Sequence, residues 1–254
     1  MSTAALARIS PSQISAWHDP AFGCPSRWWY DRNRPRVQHP AAQYGTDVHQ
    51  VLEDYQATGV APDLTTREGL TAVAGLGLLS PPRTAQVEIS MSFPHDRVLY
   101  NGRIDFCEGY VPRKHVIVGD HKTIGTLSHH KAEAQLLDDP QRIIYSYWAM
   151  HTYKVDAVTA RWVYYQRVTK SKKSGKAKAV QFTERAGAIA ERFHDLHKRK
   201  SLPILDAKLR QLTPPDLEKN LGACHLFPPH GCPHRAECHK SVSPLDIIAA
   251  AVCS

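Results

Sequence analysis

Hydrophobic and polar positions along the chain alternate between two rhythms, one near 3.6 and one of 2. Ser10-Pro11-Ser12-Gln13 reads as a helix start, with Ser10 as N-cap and Pro11 in the first turn, and Ile14 and Trp17 give the helix a short apolar face. Val48, Val51, Leu52 and Tyr55 recur at helical spacing after Tyr44-Gly45-Thr46, which predicts a second helix capped by Thr46 and running to about Tyr55. Residues 65–79 predict a third, stopped by Ser80-Pro81-Pro82. The rhythm then changes. Val87, Ile89, Met91 and Phe93 alternate with polar partners over 85–93, a half-buried strand. Pro94-His95-Asp96-Arg97 is the turn, 98–110 the returning strand and 115–122 a third, with Val116 and Val118 on one side. A helix over 140–153, a long strand over 157–168, a short one over 178–182 and a helix from a Thr183 cap to Lys200 complete the pattern. The order α-β-β-β-α-β-β-α indicates an α/β fold in which helices flank a central mixed sheet, and excludes a barrel of repeated βαβ units.

Composition adds bounds. The chain has 254 residues, 42% of them hydrophobic and 22% charged, enough for one large core. A net charge of +8 favours a polyanionic partner, nucleic acid above all. The N-terminal stretch Met1 to Arg8 lacks the apolar run of a signal peptide, and no apolar stretch approaches the ~20 residues of a membrane span. The expectation is a cytoplasmic protein with no membrane partner. Six cysteines are too few for a small disulfide scaffold, and clustered cysteines in a reducing compartment more often hold metal.

The chemistry concentrates at Asp105 and, fifteen residues on, Asp120-His121-Lys122. Residues i and i+2 of a strand share a face, so Asp120 and Lys122 point one way and His121 the other. If the strand carrying Asp105 pairs alongside, two carboxylates and an ammonium converge. Asp-x-Lys alone is a common surface tripeptide, but Asp120 follows the apolar run Val116-Ile117-Val118-Gly119, where a charge needs a partner or a job. Two Asp side chains and a backbone carbonyl form a partial oxygen shell for Mg²⁺ or Mn²⁺. His49 on its helix, Gln141 and Tyr145 at i and i+4 on another, and Glu88 on the first strand carry little meaning singly, and for Glu88 a solvated side chain is the simpler reading.

Four short motifs in order resemble the RecB-like branch of the PD-(D/E)XK nuclease superfamily. They are Gly45-Thr46-Asp47-Val48-His49, Gly102-Arg103-Ile104-Asp105, Asp120-His121-Lys122-Thr123 and Gln141-Arg142-Ile143-Ile144-Tyr145. The resemblance implies a restriction-endonuclease-like core with a sheet of about five strands. It implies that His49, Asp105, Asp120 and the main-chain carbonyl of His121 ligate the catalytic metal. Lys122 would polarise the attacking water, and Gln141 and Tyr145 would position Lys122 or contact DNA.

Cys224, Cys232 and Cys238 lie in a polar, Pro/Gly-rich stretch ill suited to burying inert thiols, and Cys24 stands near the other end. Four thiolates suit zinc or an iron–sulfur cluster about equally, and His225, His230, His234 and His239 are interleaved as further zinc ligands. The pattern of one N-terminal and three C-terminal cysteines resembles the RecB-like subgroup of CRISPR-associated and phage exonucleases. There four cysteines hold a [4Fe–4S] cluster that joins the terminal segments, which implies Cys24, Cys224, Cys232 and Cys238 as cluster ligands, with Zn²⁺ as the alternative. The Cys224-x7-Cys232 gap is longer than that pattern, whereas Cys232-x5-Cys238 matches it. Cys107 and Cys253 read as ordinary. One nuclease domain would then span 1–254, with a core of about 40–200 and a cysteine element from 10–35 plus 205–254.

Lys170, Lys172, Lys173, Lys176 and Lys178 form a basic loop that suits phosphate contact. Arg27-Trp28-Trp29-Tyr30-Asp31-Arg32 suits base stacking, although Trp28 and Trp29 as core beside Cys24 is the stronger reading. The expected function is a Mg²⁺- or Mn²⁺-dependent DNA exonuclease of recombination, repair or phage DNA processing, with single-stranded or end-bearing DNA as partner. The alternative is a catalytically idle DNA-binding subunit of a recombination or spacer-acquisition complex, with a zinc-stapled C-terminal element.

Overall fold

The computed structural model of the chain describes residues 6–19, 22–34, 40–170, 174–221, 224, 232 and 234–238. In chain order the elements are β1 (Ala7–Ile9), α1 (Pro11–His18), α2 (Pro25–Asn33), α3 (Pro40–Thr58), α4 (Arg67–Val73), β2 (Gln86–His95), β3 (Val98–Val111) and β4 (His115–Ile124). There follow α5 (Glu133–Leu137), α6 (Pro140–Tyr153), β5 (Ala157–Gln166), β6 (Lys176–Arg185), α7 (Ala186–Leu196) and α8 (Leu202–Leu209). The chain divides into two units, one drawn from 1–37, 94–100 and 195–254 and the other from 38–93 and 101–194.

The second unit is built on the sheet. β3 runs antiparallel to β4, β4 parallel to β5 from His115↔Ala157 to Ile124↔Gln166, and β5 antiparallel to β6; β2 pairs with β3. The parallel β4–β5 step needs a crossover, which α5 and α6 supply. β5 is rich in β-branched and aromatic residues and is buried on both faces, as a central parallel strand must be. β6 alternates exposed and half-buried positions, as an edge strand does. Tyr44, Val48 and Leu52 of α3 lie at i, i+4 and i+8 and pack with Ala72, Phe106, Val163 and Tyr165.

Several predicted boundaries move. Thr46 does not cap α3, which is already helical at Pro40; its hydroxyl bonds back to the Ala42 carbonyl at 3.2 Å. The helix expected over 65–79 is shorter: Thr66 caps α4, accepting from the Gly69 amide at 3.0 Å, and a 3₁₀ turn over Leu76–Leu78 replaces the rest after Gly75 interrupts it. Thr183 remains in the ladder, because β6 pairs with β5 as far as Arg185↔Ala157, and its hydroxyl lies 2.6 Å from that of Thr159.

In the first unit β1 pairs in parallel with the start of β3, through Ala7↔Val98 and Ile9↔Tyr100, which makes six strands among the described residues. Pro11 opens α1 after Ser10 as expected, and Ile14 is buried. Trp28 and Tyr30 of α2 are buried, with Trp17 edge-on to Trp28, so Trp28 serves the core; Trp29 is half-buried. The Ser26 amide donates to the Glu218 carbonyl at 3.3 Å and Asn220 Nδ2 to the Gly23 carbonyl at 3.0 Å, so chain ends far apart in sequence meet here. Among the described residues, no helix is long and apolar enough to cross a membrane. Of the basic loop, 171–173 lie outside the described residues.

Candidate active site

Strand pairing brings Asp105 and Asp120 level. Phe106 of β3 pairs with Gly119 of β4, so one step beyond that pair the antiparallel register sets Asp105 opposite Asp120. The His121 amide donates to Asp105 Oδ2 at 2.6 Å and fixes that carboxylate. On the same face as Asp120, Lys122 Nζ lies 2.5 Å from Asp120 Oδ2. His121 turns the other way: its ring is buried, with Gln56 Oε1 3.2 Å from Nε2, Tyr165 Oη 3.3 Å from Nδ1 and the Phe106 ring alongside. Burial, with His49 and Lys122 adding to it, drives the His121 pKa well below the usual value, so its ring is a neutral packing group.

His49 comes from α3, held by the packing of Val48 and Leu52, and its Nδ1 stands 3.5 Å from Asp105 Oδ2. The approach of α3 to β4 needs the glycine four residues earlier, because a Cβ on Gly45 would lie 2.9 Å from Thr123 Oγ1. Burial lowers the His49 pKa against the pull of Asp120, which leaves a neutral imidazole able to donate a lone pair to a metal.

Gln141 and Tyr145 reach the site from α6. Asp139 caps this helix, accepting from the amides of Gln141 at 2.8 Å and Arg142 at 3.2 Å. Gln141 Nε2 donates to Asp120 Oδ1 at 2.5 Å and to the Tyr145 hydroxyl at 3.1 Å. That hydroxyl donates in turn to the Arg103 carbonyl on β3. Burial and the nearby Asp120 push the Tyr145 pKa up, so the hydroxyl keeps its proton. Gly102 leaves room for this ring: a Cβ there would be 3.1 Å from Met91 Cε and 3.3 Å from Tyr145 Cε1.

Two carboxylates, Asp120 buried and Asp105 half-buried, share one ammonium. Burial, then Asp120, raises the Asp105 pKa well above the usual carboxylate value. Burial also pulls at Lys122, but Asp120 and Asp105 outweigh it and hold the ammonium charged. Among the described residues, Asp120 Oδ2 has no partner beyond Lys122. A site with surplus negative charge, an oxygen with spare lone pairs and a neutral imidazole is a donor set suited to a hard divalent cation.

Glu88 is the residue that pattern reading undervalued. It is half-buried, takes a left-handed φ of +50°, pairs with Arg103 Nη1 at 2.9 Å and adds its field to Asp105 and His49. In-and-out alternation lapses over Val87–Ile89, all three half-buried, so the polar side of the pattern does not point to solvent. Only the positive φ marks it, and that is not visible in sequence.

In the first unit Cys24, Cys224, Cys232 and Cys238 are buried, outside any disulfide and within one another's electrostatic reach. Cys24 caps α2, its Sγ accepting from the Arg27 amide at 3.5 Å, and the Cys232 amide donates to the Cys224 carbonyl at 2.8 Å. A hydrogen bond from Cys224 lowers the Cys232 pKa to about 6. His234 is engaged elsewhere, stacked on Tyr30 at 5.0 Å with Nε2 3.0 Å from Asp31 Oδ1. His225, His230 and His239 lie outside the described residues. Cys107 is buried on β3 apart from the four, where burial holds its thiol up at about 12.

A mixed sheet flanked by helices, with two aspartates and a lysine meeting across adjacent strands, defines the class as nuclease-like. The model of the PD-(D/E)XK nuclease superfamily matches residues 71–239, and the chain belongs to that superfamily. The matched stretch holds Asp105, Asp120, Lys122, Gln141, Tyr145 and three of the four cysteines; His49 and Cys24 lie upstream. Among solved structures, a protein of Eubacterium rectale provisionally designated an exonuclease superposes with a TM-score of 0.55 at 11% identity, covering 84% of each chain. The protein SSO0001 aligns with a TM-score of 0.37 at 14% identity, over 77% of this chain and 76% of that one. No curated protein matches.

Proposed function

We propose that the protein is a metal-dependent DNA exonuclease whose chemistry is carried by Asp105, Asp120 and Lys122. The observation that supports this most is the meeting of those three groups with His49, two carboxylates sharing one ammonium. His49, Asp105, Asp120 and the main-chain carbonyl of His121 would hold Mg²⁺ or Mn²⁺. A divalent cation there supplies a lowered pKa for bound water and neutralisation of phosphate charge. The Lys122 ammonium, kept charged by its two carboxylate neighbours, stabilises negative charge as it develops on the phosphate. Gln141 fixes Asp120 through Oδ1, leaving Oδ2 turned to Lys122, and Tyr145 fixes Gln141. The excess of basic residues suits a DNA substrate, and the exonuclease reading agrees with the designation of the E. rectale protein.

Digestion of 5′- and 3′-labelled single- and double-stranded DNA with Mg²⁺ or Mn²⁺ tests the reading. Processive loss from ends is expected, and DNA that is bound but never cleaved would make the protein an idle DNA-binding subunit instead.

The four cysteines are proposed as ligands of a [4Fe–4S] cluster. The engagement of His234 with Asp31 supports an all-thiolate set over the mixed Cys/His set that zinc often takes. Anaerobically purified protein should be brown and contain iron and sulfide; colourless protein with stoichiometric zinc would replace the cluster with Zn²⁺.

A further inference from the structure

Within the first unit the turn between β2 and β3 meets the π-helical turn His197–Ser201 that follows α7. His95, Asp96 and His197 each offer one ligand atom there, and the three atoms lie within 4.8 Å of one another. His197 is buried, His95 half-buried and Asp96 exposed on the turn. We infer that these residues form a second metal site, separate in its residues from the carboxylate site, that takes a divalent transition ion of the zinc class and clamps the turn to His197.

Proton bookkeeping supports a cation at this point. His197 Nδ1 lies 2.8 Å from the Tyr100 hydroxyl, and that hydroxyl donates to Ser201 Oγ at 2.7 Å. With its own proton committed to Ser201, the Tyr100 oxygen accepts from Nδ1–H. In a neutral ring the Nε2 lone pair would then face Asp96 Oδ2, 3.0 Å away. Two lone pairs at that distance repel unless a proton or a metal ion lies against both.

The third residue favours the metal. Ligand atoms about 2.0–2.1 Å from a tetrahedral ion stand about 3.3–3.4 Å apart, so Nε2 and Oδ2 at 3.0 Å would need to part by only a few tenths of an ångström to bind one. A metal would engage His95 as well, and the His95 ring stands nearly perpendicular to that of His197, at 82° with centroids 4.7 Å apart. Tyr100 and Ser201, both buried, form the outer hydrogen bonds that fix tautomer and ring angle at ligating histidines. Two imidazoles and one carboxylate suit zinc, nickel or copper, whereas magnesium prefers an all-oxygen shell. Open positions on the ion would be filled by water.

The test is a zinc titration of the full-length protein in excess Mg²⁺, with bound zinc counted by equilibrium dialysis and elemental analysis. His95→Ala and Asp96→Ala are run beside wild type; neither side chain is buried, and far-UV circular dichroism checks that the fold is kept. Zinc taken up by the cysteines is common to all three proteins. Wild type is expected to hold one equivalent more than either variant, or to hold that equivalent at least tenfold more tightly. Its melting temperature is expected to rise with Zn²⁺ by an increment that His95→Ala lacks. Equal stoichiometry and equal affinity in wild type and His95→Ala would overturn the inference and leave His197 and Asp96 a proton-bridged ion pair.

Discussion

Removing one oxygen, in Tyr145→Phe, isolates the clamp that holds the site together. The Tyr145 side chain is 4% exposed, so the phenyl ring stays packed and only the hydroxyl bonds are lost. That hydroxyl accepts from Gln141 Nε2 and donates to the Arg103 carbonyl, joining α6 to β3 beside Asp105. Two net hydrogen bonds are worth about 1 kcal/mol each, so about 2 kcal/mol of stability should go. For a chain of this size that lowers the melting temperature by ~4–8 °C. Gln141 keeps its bond to Asp120 but loses its second anchor. Slackness worth about 1 kcal/mol in the transition state gives a kcat roughly fivefold lower, with KM for DNA unchanged. Calorimetry and single-turnover digestion read the two effects. A melting temperature within 1 °C of wild type together with an unchanged kcat would refute the clamp.

Asp105→Asn removes one of two carboxylates that share the Lys122 charge, and the metal-free protein should melt higher than wild type at neutral pH while losing the rise that Mg²⁺ gives wild type; a lower metal-free melting point would count against like-charge strain. The pH dependence follows from the sign of each shift. The raised Asp105 pKa means the folded state keeps a proton that the unfolded chain releases near pH ~3.9, so that contribution is present below this value and is lost as pH rises through the elevated one. The lowered values of His49 and His121 act oppositely, with stability lost as pH falls below ~6.5. Urea melts of wild type and Asp105→Asn from acid to neutral pH should therefore show a gap that widens as pH rises, and a constant gap would contradict the assignment. Cys232→Ser, which removes the thiol that Cys224 holds towards its ionised form, should bleach the visible absorption and cut bound iron by more than half; full iron content would remove Cys232 from the ligand set.

How far the sequence shows the site can be argued residue by residue. Strand alternation alone places Asp120 and Lys122 on one face and the His121 ring on the other, and the ring is found among Gln56, Phe106 and Tyr165. The helix over Pro140–Tyr153 has the bounds its pattern predicts, because Asp139 and Pro140 are strong start signals and Lys154 turns left-handed at its end. Local signals mislead where tertiary contact outweighs them. Gly45-Thr46 resembles a helix start, yet Gly45 sits inside α3 because β4 comes too close there for a Cβ. Thr183 resembles a cap, yet its backbone is held in the ladder with β5. Glu88 owes its place to a left-handed residue within a strand, and His95 and His197 meet across a hundred residues of chain; neither leaves a periodic trace. Short-range periodicity reports which face a residue takes, whereas what it meets there is set by register and by contacts distant in sequence.

The central claim is that Asp105, Asp120 and Lys122 hydrolyse DNA with a divalent cation. End-labelled DNA incubated with Mg²⁺ or Mn²⁺ and wild type, Asp120→Ala or Lys122→Ala, each checked for native circular dichroism, measures it most directly. Wild type should degrade the DNA and lose activity with chelator, and both variants should fall by at least a hundredfold, about 2.7 kcal/mol in activation free energy. Full activity in either folded variant would contradict the account.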